Sequence, residues 1–290
     1  MGLCDEVRTR CAAIAEGARH VRIDLDRIGS VEPGPPPVLD PERHYLEGPR
    51  EDVASYLLTL DAINFGSGWF PTLRKRPGMS GYYTVAWSLA DWYRMNGPLS
   101  PADLRRLDAD DVALMLGQDA RHELMGLYAD ALRDLGRFLG DRGALELVES
   151  CGGSAERLAE LLAGGMPFFD DTGFWKRAQI TANDFALAGL VEFADLDRLT
   201  IFADNLVPHV LRVDGVLRYD PPLAAHIDAG ELLPPGPEER EIRACAVHAC
   251  ELIAERLGVP PRDLDVMLWN RGQDPRYKAI PRHRTRTVYY

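Results

Sequence analysis

Glu238-Glu239-Arg240-Glu241-Ile242-Arg243-Ala244-Cys245-Ala246-Val247-His248-Ala249-Cys250-Glu251-Leu252-Ile253-Ala254-Glu255-Arg256-Leu257 decides the fold class of this chain. Ile242, Cys245, Ala246, Ala249, Leu252, Ile253 and Leu257 recur every three or four residues, which lays one apolar stripe along a helix. A strand would need alternation instead, so residues 238–257 are predicted as an amphipathic helix. The same period runs outward from there. Leu124, Leu127, Tyr128, Ala131, Leu135 and Phe138 predict a long helix over 119–139. Val53, Tyr56, Leu57, Leu60 and Ile63 predict one over 51–64, and Val85, Leu89 and Trp92 one over 82–95. Val7, Cys11, Ile14, Ala15, Ala18 and Val21 give residues 3–23 a helical spacing. Shorter helices are predicted around 111–116, 143–150, 154–163, 174–190 and 196–212. Gly97-Pro98, Gly152-Gly153 and Gly164-Gly165 punctuate them, and Ser100-Pro101 reads as a cap followed by Pro in a first turn.

Two stretches depart from this pattern. Residues 29–48 hold Pro33, Pro35, Pro36, Pro37 and Pro41 and predict an extended surface segment, long enough to cover a site, with His44 inside it. Val213-Asp214-Gly215-Val216 admits a β-hairpin, because Asp-Gly sits between apolar runs. Helical spacing on both sides favours a helix over 199–212, a tight turn at Gly215 and a helix over 221–228. With no repeats, no βαβ alternation and few strand signals, the expectation is a mostly α, single helical domain over residues 1–290. Residues 1–50 would form its N-terminal helix and Pro-rich covering segment.

Composition bounds the function. The chain has 290 residues, 46% hydrophobic and 27% charged, with enough apolar material for a full core. No apolar run is long enough to cross a membrane. Met1-Gly2-Leu3-Cys4-Asp5-Glu6 has neither the basic flank of a secretory signal nor the Ser or Thr that myristoylation favours at position six. Five scattered cysteines, Cys4, Cys11, Cys151, Cys245 and Cys250, lack zinc spacing and fit a reducing cytoplasm as buried fillers. The formal net charge of −12 argues against a nucleic-acid polymer as partner, though not against one phosphate held by a local basic cluster. No metal, cofactor or membrane partner is expected. Phosphate loops, dinucleotide glycine patterns and nucleophile-elbow serines are absent, and Gly66-Ser67-Gly68 lacks the lysine a phosphate loop needs. The acidic pairs Asp110-Asp111 and Asp170-Asp171 lie near helix starts, where capping accounts for them.

Three places look costly for structure alone. Asp204 sits in the apolar run Ile201-Phe202-Ala203-Asp204-Asn205, at an expected helix start. Asp265 and Asn270 flank the apolar turn Val266-Met267-Leu268-Trp269. The ending Pro281-Arg282-His283-Arg284-Thr285-Arg286-Thr287-Val288-Tyr289-Tyr290 is cationic in an acidic protein. Taken singly, capping explains both aspartates, and a solvated tail explains the rest.

Taken together, in order, these segments resemble the queuosine-salvage family. Leu60-Asp61-Ala62-Ile63-Asn64-Phe65 with Trp69 and Pro71, Phe174-Trp175-Lys176-Arg177-Ala178-Gln179-Ile180 and Ile201-Phe202-Ala203-Asp204 carry the likeness. Glu241-Ile242-Arg243-Ala244-Cys245, Leu268-Trp269 and the ending complete it, so that it spans 44–290. Asn270 departs from the pattern, since some relatives carry Asp there. The resemblance implies a fold similar to the helix-hairpin-helix DNA glycosylases. It implies hydrolysis of the N-glycosidic bond of queuosine 5'-phosphate, releasing queuine for reinsertion into tRNA.

Breaking a ribosyl C–N bond builds an oxocarbenium-like centre that a carboxylate can stabilise or attack. The resemblance assigns that carboxylate to Asp204 and leaves nucleophile and stabiliser both open. Purine leaving groups gain from protonation at N7, but queuine has carbon there, so more falls on stabilising the sugar cation. Among substrate-binding residues, Asp265, supported by Asn270, is the expected reader of the base's pairing edge. Phe202 is expected to stack on the base, a contact of about 1–3 kcal/mol. His44 is expected to close over the base or its cyclopentenediol. Lys176, His283, Arg284 and Arg286 are the cations expected on the 5'-phosphate. The alternatives are a DNA-repair-type glycosylase, which the charge disfavours, and a non-catalytic queuine or nucleotide carrier, which would bind without turnover.

Overall fold

The long helix forms where its period places it. The computed structural model describes residues 2–290 and is mostly α-helical. In chain order the helices begin with α1 (Leu3–Glu16), α2 (Leu25–Ile28), α3 (Arg50–Ala62), α4 (Gly81–Asn96) and α5 (Pro101–Leu104). Next come α6 (Ala109–Leu116), α7 (Glu123–Leu139), α8 (Ala144–Glu149), α9 (Ala155–Gly165) and α10 (Lys176–Leu187). The last five are α11 (Leu206–Val213), α12 (Pro221–Asp228), α13 (Pro237–Leu257), α14 (Pro261–Arg271) and α15 (Pro275–Lys278). Two short strands, β1 (Val21–Ile23) and β2 (Leu217–Tyr219), pair antiparallel, with Val21 opposite Tyr219 and Ile23 opposite Leu217. The chain divides into two compact units, neither continuous in sequence. One takes in the chain up to Pro37, Thr172–Lys176 and Asp197–Thr287. The other takes in Val38–Asp171, Arg177–Leu196 and Val288–Tyr290.

In the first unit α13 is the central element, packed against α1, β1, α11 and α14. Pro237 opens it, Glu238 and Glu239 sit in its first turn, and Gly258 closes it at φ +67°. Those choices suit the ends of the helix dipole and the left-handed closing residue. Ala244, Ala246, Ala249 and Cys250 are fully buried, and such small side chains let neighbouring helices approach closely. Burying Ile242 and Ile253 contributes roughly 1.5–3 kcal/mol each. Glu241, also on this helix, accepts the backbone N–H groups of Arg19, His20 and Val21 through Oε2, which fixes the start of β1.

In the second unit α3 is buried along most of its length and packs on α4, α7 and α8. Tyr45, Tyr56 and Tyr93 form an aromatic cluster with ring centroids 5.4–5.9 Å apart. Asp108 caps α6 and Asp111 completes its capping box, so capping does account for that acid. Arg177 is fully buried between the rings of Phe65 and Phe169, each 4.8 Å away. It donates to the carbonyls of Ala62 and Val288 at 2.6 and 2.8 Å. Burial pushes this guanidinium down to about 9 despite the nearby Asp171 and Asp61.

Three local expectations are corrected. The helical spacing of 3–23 ends at Glu16, because Gly17 stops α1 and residues 21–23 become a strand. The stretch 196–212 is not one helix. A short 3-10 turn at Leu196–Arg198 is followed by an extended run, and α11 begins only at Leu206, so Pro208 falls harmlessly in its first turn. At Gly215, with φ +81°, the chain turns as expected, but it enters β2 before α12. The partner of that strand lies near the N-terminus, which neither a hairpin nor a helix–turn–helix reading anticipates.

Candidate functional site

The run Leu199–Asp204 has no regular secondary structure, and side chains from elsewhere in the first unit hold it. Asp265, in the middle of α14 and buried, accepts the Phe202 N–H through Oδ1 at 2.9 Å. Arg243 of α13 donates from Nε to the Ala203 carbonyl at 2.9 Å, with its guanidinium 3.9 Å from the centre of the Phe174 ring. Asn205 donates from Nδ2 to the His283 carbonyl at 3.0 Å, which lays the C-terminal run beside it. Buried backbone groups need partners, and here each partner also fixes the position of Phe202 and Asp204.

Asp204 is half-buried and lies two residues before the start of α11. Its Oδ1 accepts the N–H groups of Leu206 and Val207 at 2.7 and 3.0 Å. Oδ2 takes no hydrogen bond among the described residues. The helix start thus holds one oxygen of this carboxylate and leaves the other without a hydrogen bond among those residues. A carboxylate fixed in this way can face a developing sugar cation without reorganising.

The C-terminal run brings His283 and Arg282 beside this segment. His283 is buried, and desolvation together with Arg243, His209, Arg282 and Arg212 pushes its imidazole down to about 3. His209, on α11, lies against the Tyr277 carbonyl at 2.8 Å through Nε2 and is pushed down chiefly by burial. Arg282 is half-buried. Burial lowers its guanidinium, Asp204 raises it and Arg284 lowers it. Lys176, also of this unit, is buried and follows Trp175, whose φ of +46° is the one left-handed value among described residues other than glycine. Strain of this kind is costly and concentrates where a backbone must aim a side chain.

The second unit holds a separate polar group. His44 is buried, with Nδ1 2.9 Å from the Asp40 carbonyl and Nε2 3.1 Å from the Tyr82 hydroxyl. A carbonyl only accepts, so Nδ1 carries the proton and Nε2 accepts from Tyr82. Burial lowers the His44 pKa, which agrees with a neutral ring. Tyr82 is itself raised well above the usual tyrosine value by burial and by Asp184, Tyr56 and Asp61. Arg94 ties the segment down by donating to the Pro41 and His44 carbonyls at 3.1 and 2.9 Å.

Comparison with known proteins decides the family. The family described as queuosine salvage protein matches residues 43–290. The chain belongs to the queuosine-salvage family. A relative from Sphaerobacter thermophilus, named queuosine 5'-phosphate N-glycosylase/hydrolase, is 33% identical over 98% of this chain and 97% of its own length. Relatives of the same name from Bos taurus and Dictyostelium discoideum are 33% and 30% identical, covering 84% and 83% of this chain and 83% and 79% of their own.

Against that family, the residues singled out in the sequence divide by position. Phe202, Asp204, Asp265 and His283 meet in one constellation of the first unit. Lys176 belongs to the same unit, and His44 to the other. Asn270 is five residues beyond Asp265 on α14, roughly 140° around the helix, so the two do not share a face. Arg284 donates to the Gly230 carbonyl, and its own carbonyl accepts from Leu233 at 2.9 Å. Arg286 is exposed. His283, expected as a phosphate cation, is buried, and desolvation together with Arg243 and its other basic neighbours disfavours its charged form. Asp265 is corrected from helix cap to mid-helix acceptor. Sequence reading missed Asn205, Arg243, Arg282 and Tyr82. Arg243 carried one signal, an arginine within a stretch of buried apolar residues on α13.

Proposed function

We propose that this protein hydrolyses the N-glycosidic bond of queuosine 5'-phosphate, giving queuine and ribose 5-phosphate. The observation that carries the reading is Asp204, held through Oδ1 by the first turn of α11 with Oδ2 left to face a substrate, in a chain of this family. In the reaction the bond between C1' and the base nitrogen breaks, and its electron pair leaves with the base. Positive charge then grows on C1' and the ring oxygen, and the Asp204 carboxylate stabilises it or bonds to C1'. Water finally supplies OH to C1' and a proton to the base.

Around that centre, Phe202 supplies a ring for the base and Asp265 an acceptor for its pairing edge. Asp265 already holds the Phe202 N–H, so one carboxylate positions the stacking residue and faces the base. His44 Nε2 accepts from the Tyr82 hydroxyl, and exchanging that partner would let it accept a hydroxyl of the base or its cyclopentenediol. Lys176 is the buried cation nearest in sequence to the strained Trp175, and it supports a phosphate contact. Asn270 and Arg286 serve as peripheral contacts. We treat 1–290 as one functional domain, because the family match runs through both units. The fold is read as akin to helix-hairpin-helix DNA glycosylases, supported by an aspartate at the start of α11 in a mostly helical chain. The substrate is taken as a free nucleotide rather than a polymer, supported by the net charge of −12. Five buried free thiols support a reducing cytoplasm.

The test is incubation of the purified protein with queuosine 5'-phosphate, following free queuine by mass spectrometry. Release of queuine supports the reading. Thermal stabilisation by the nucleotide without release would make the protein a carrier. Release from a modified DNA or tRNA strand in preference to the nucleotide would make it a polymer glycosylase.

A further inference from the structure

The tail cation that matters for a phosphate is one the sequence reading passed over. Asn205 Nδ2 binds the His283 carbonyl, which sets residues 282–284 beside Asp204 and the first turn of α11. The basic groups gathered there can be accounted for one by one. Arg284 donates to the Gly230 carbonyl. Arg212 is matched by Asp228, at 2.8 and 3.0 Å to its two oxygens. Arg243 is committed to the Ala203 carbonyl, the Phe174 ring and Glu239. His283 is buried and uncharged. Arg282 remains: half-buried, adjacent in the chain to the His283 carbonyl that Asn205 binds, and without a hydrogen bond or ion pair among the described residues.

A cation near a carboxylate but not joined to it is an arrangement that wastes attraction unless something fits between them. Ribose 5-phosphate asks for a carboxylate at C1' and a cation at its phosphate, and the Asn205–His283 bond sets Arg282 on the segment beside Asp204. We propose that Arg282 binds the 5'-phosphate of the substrate and sets the preference for the nucleotide over the nucleoside. Guanidinium binds phosphate through paired N–H groups, which a lysine at this position would not reproduce. The proposal rests on the nucleotide-glycosidase reading above and adds to it the residue that recognises the phosphate.

Two measurements test it. The first compares kcat/KM for queuosine 5'-phosphate and for unphosphorylated queuosine in the wild type, Arg282→Gln and Arg282→Lys. A charge-assisted hydrogen bond contributes about 1.5–3 kcal/mol, so the nucleotide-to-nucleoside ratio should fall on the order of 10–100-fold in Arg282→Gln and by less in Arg282→Lys. Equal losses on both substrates, no loss, or collapse of the ratio in Arg286→Gln instead would overturn the proposal. The second is thermal stabilisation by ribose 5-phosphate, expected in the wild type and reduced in Arg282→Gln; an undiminished shift in the variant would overturn it as well. A wild type that releases no queuine, yet is stabilised by ribose 5-phosphate only when Arg282 is present, would sink the glycosidase reading and leave the phosphate assignment standing.

Discussion

Asp204 allows its two tasks to be separated by two substitutions. Its Oδ1 caps α11 through the Leu206 and Val207 N–H groups, and its other oxygen is the one the proposed reaction uses. Asn keeps a carbonyl oxygen in the capping position and is among the best capping residues, so Asp204→Asn should unfold at nearly the wild-type temperature. It replaces the negative charge with a neutral amide. Removing one preorganised electrostatic group costs about 10²–10³ in kcat, on the order of 2.7–4 kcal/mol. Asp204→Ala loses both functions. Beyond the same loss of rate, it forfeits the cap, about 0.5–2 kcal/mol, which lowers Tm by a few degrees at roughly 2–4 °C per kcal/mol. The assay is queuine release from queuosine 5'-phosphate at saturating substrate, with thermal unfolding of all three proteins in the same buffer. An Asp204→Asn protein within a few-fold of the wild-type rate would refute the charge argument. An Asp204→Asn protein as unstable as Asp204→Ala would refute the division of labour between the two oxygens.

Other outcomes follow from the same structure. Asp265→Ala strips the buried Phe202 N–H of its acceptor, a cost of about 1–3 kcal/mol; it should lower Tm and raise KM, and a lower Tm with unchanged KM would confine Asp265 to positioning Phe202. Arg177→Met leaves the Ala62 and Val288 carbonyls without their donor, each worth about 1–3 kcal/mol, and should shift the denaturant midpoint downward by a matching amount, whereas an unmoved midpoint would contradict the clamp. His44, His209 and His283 all have folded pKa values below the ordinary 6.5. In that situation the unfolded chain binds protons first, so stability is full above about pH 6.5 and falls as the pH drops below it. Each imidazole contributes a slope of up to roughly 1.4 kcal/mol per pH unit, and for His283 the decline continues to about pH 3. Thermal unfolding between pH 8 and 5 should show this acid lability, and a Tm that stays level over that range would refute the burial of neutral imidazoles.

The sequence by itself determined the helical class. Side chains such as Ile242, Cys245, Ala249 and Ile253 recur with the helical period, and all are buried on α13. It also marked Asp204 and Asp265 as polar groups set in apolar runs, and the family resemblance, not the pattern, added Phe202 and gave all three their expected roles. What it did not determine was how they are held. Leu199–Asp204 reads as helix by local spacing, yet it has no regular secondary structure, and its Phe202 N–H and Ala203 carbonyl bond to Asp265 and Arg243 rather than along its own chain. The pairing of β1 with β2 was equally illegible, since three-residue strands show no alternation and the two lie far apart in sequence. The charge state of His283 and the choice among Arg282, Arg284 and Arg286 depend on burial and on which carbonyl or carboxylate happens to be near. Periodicity is a property of neighbours along the chain, and so the sequence carries it. Desolvation, capping by a distant side chain and the pairing of charges are properties of neighbours in space, and only the tertiary structure decides them.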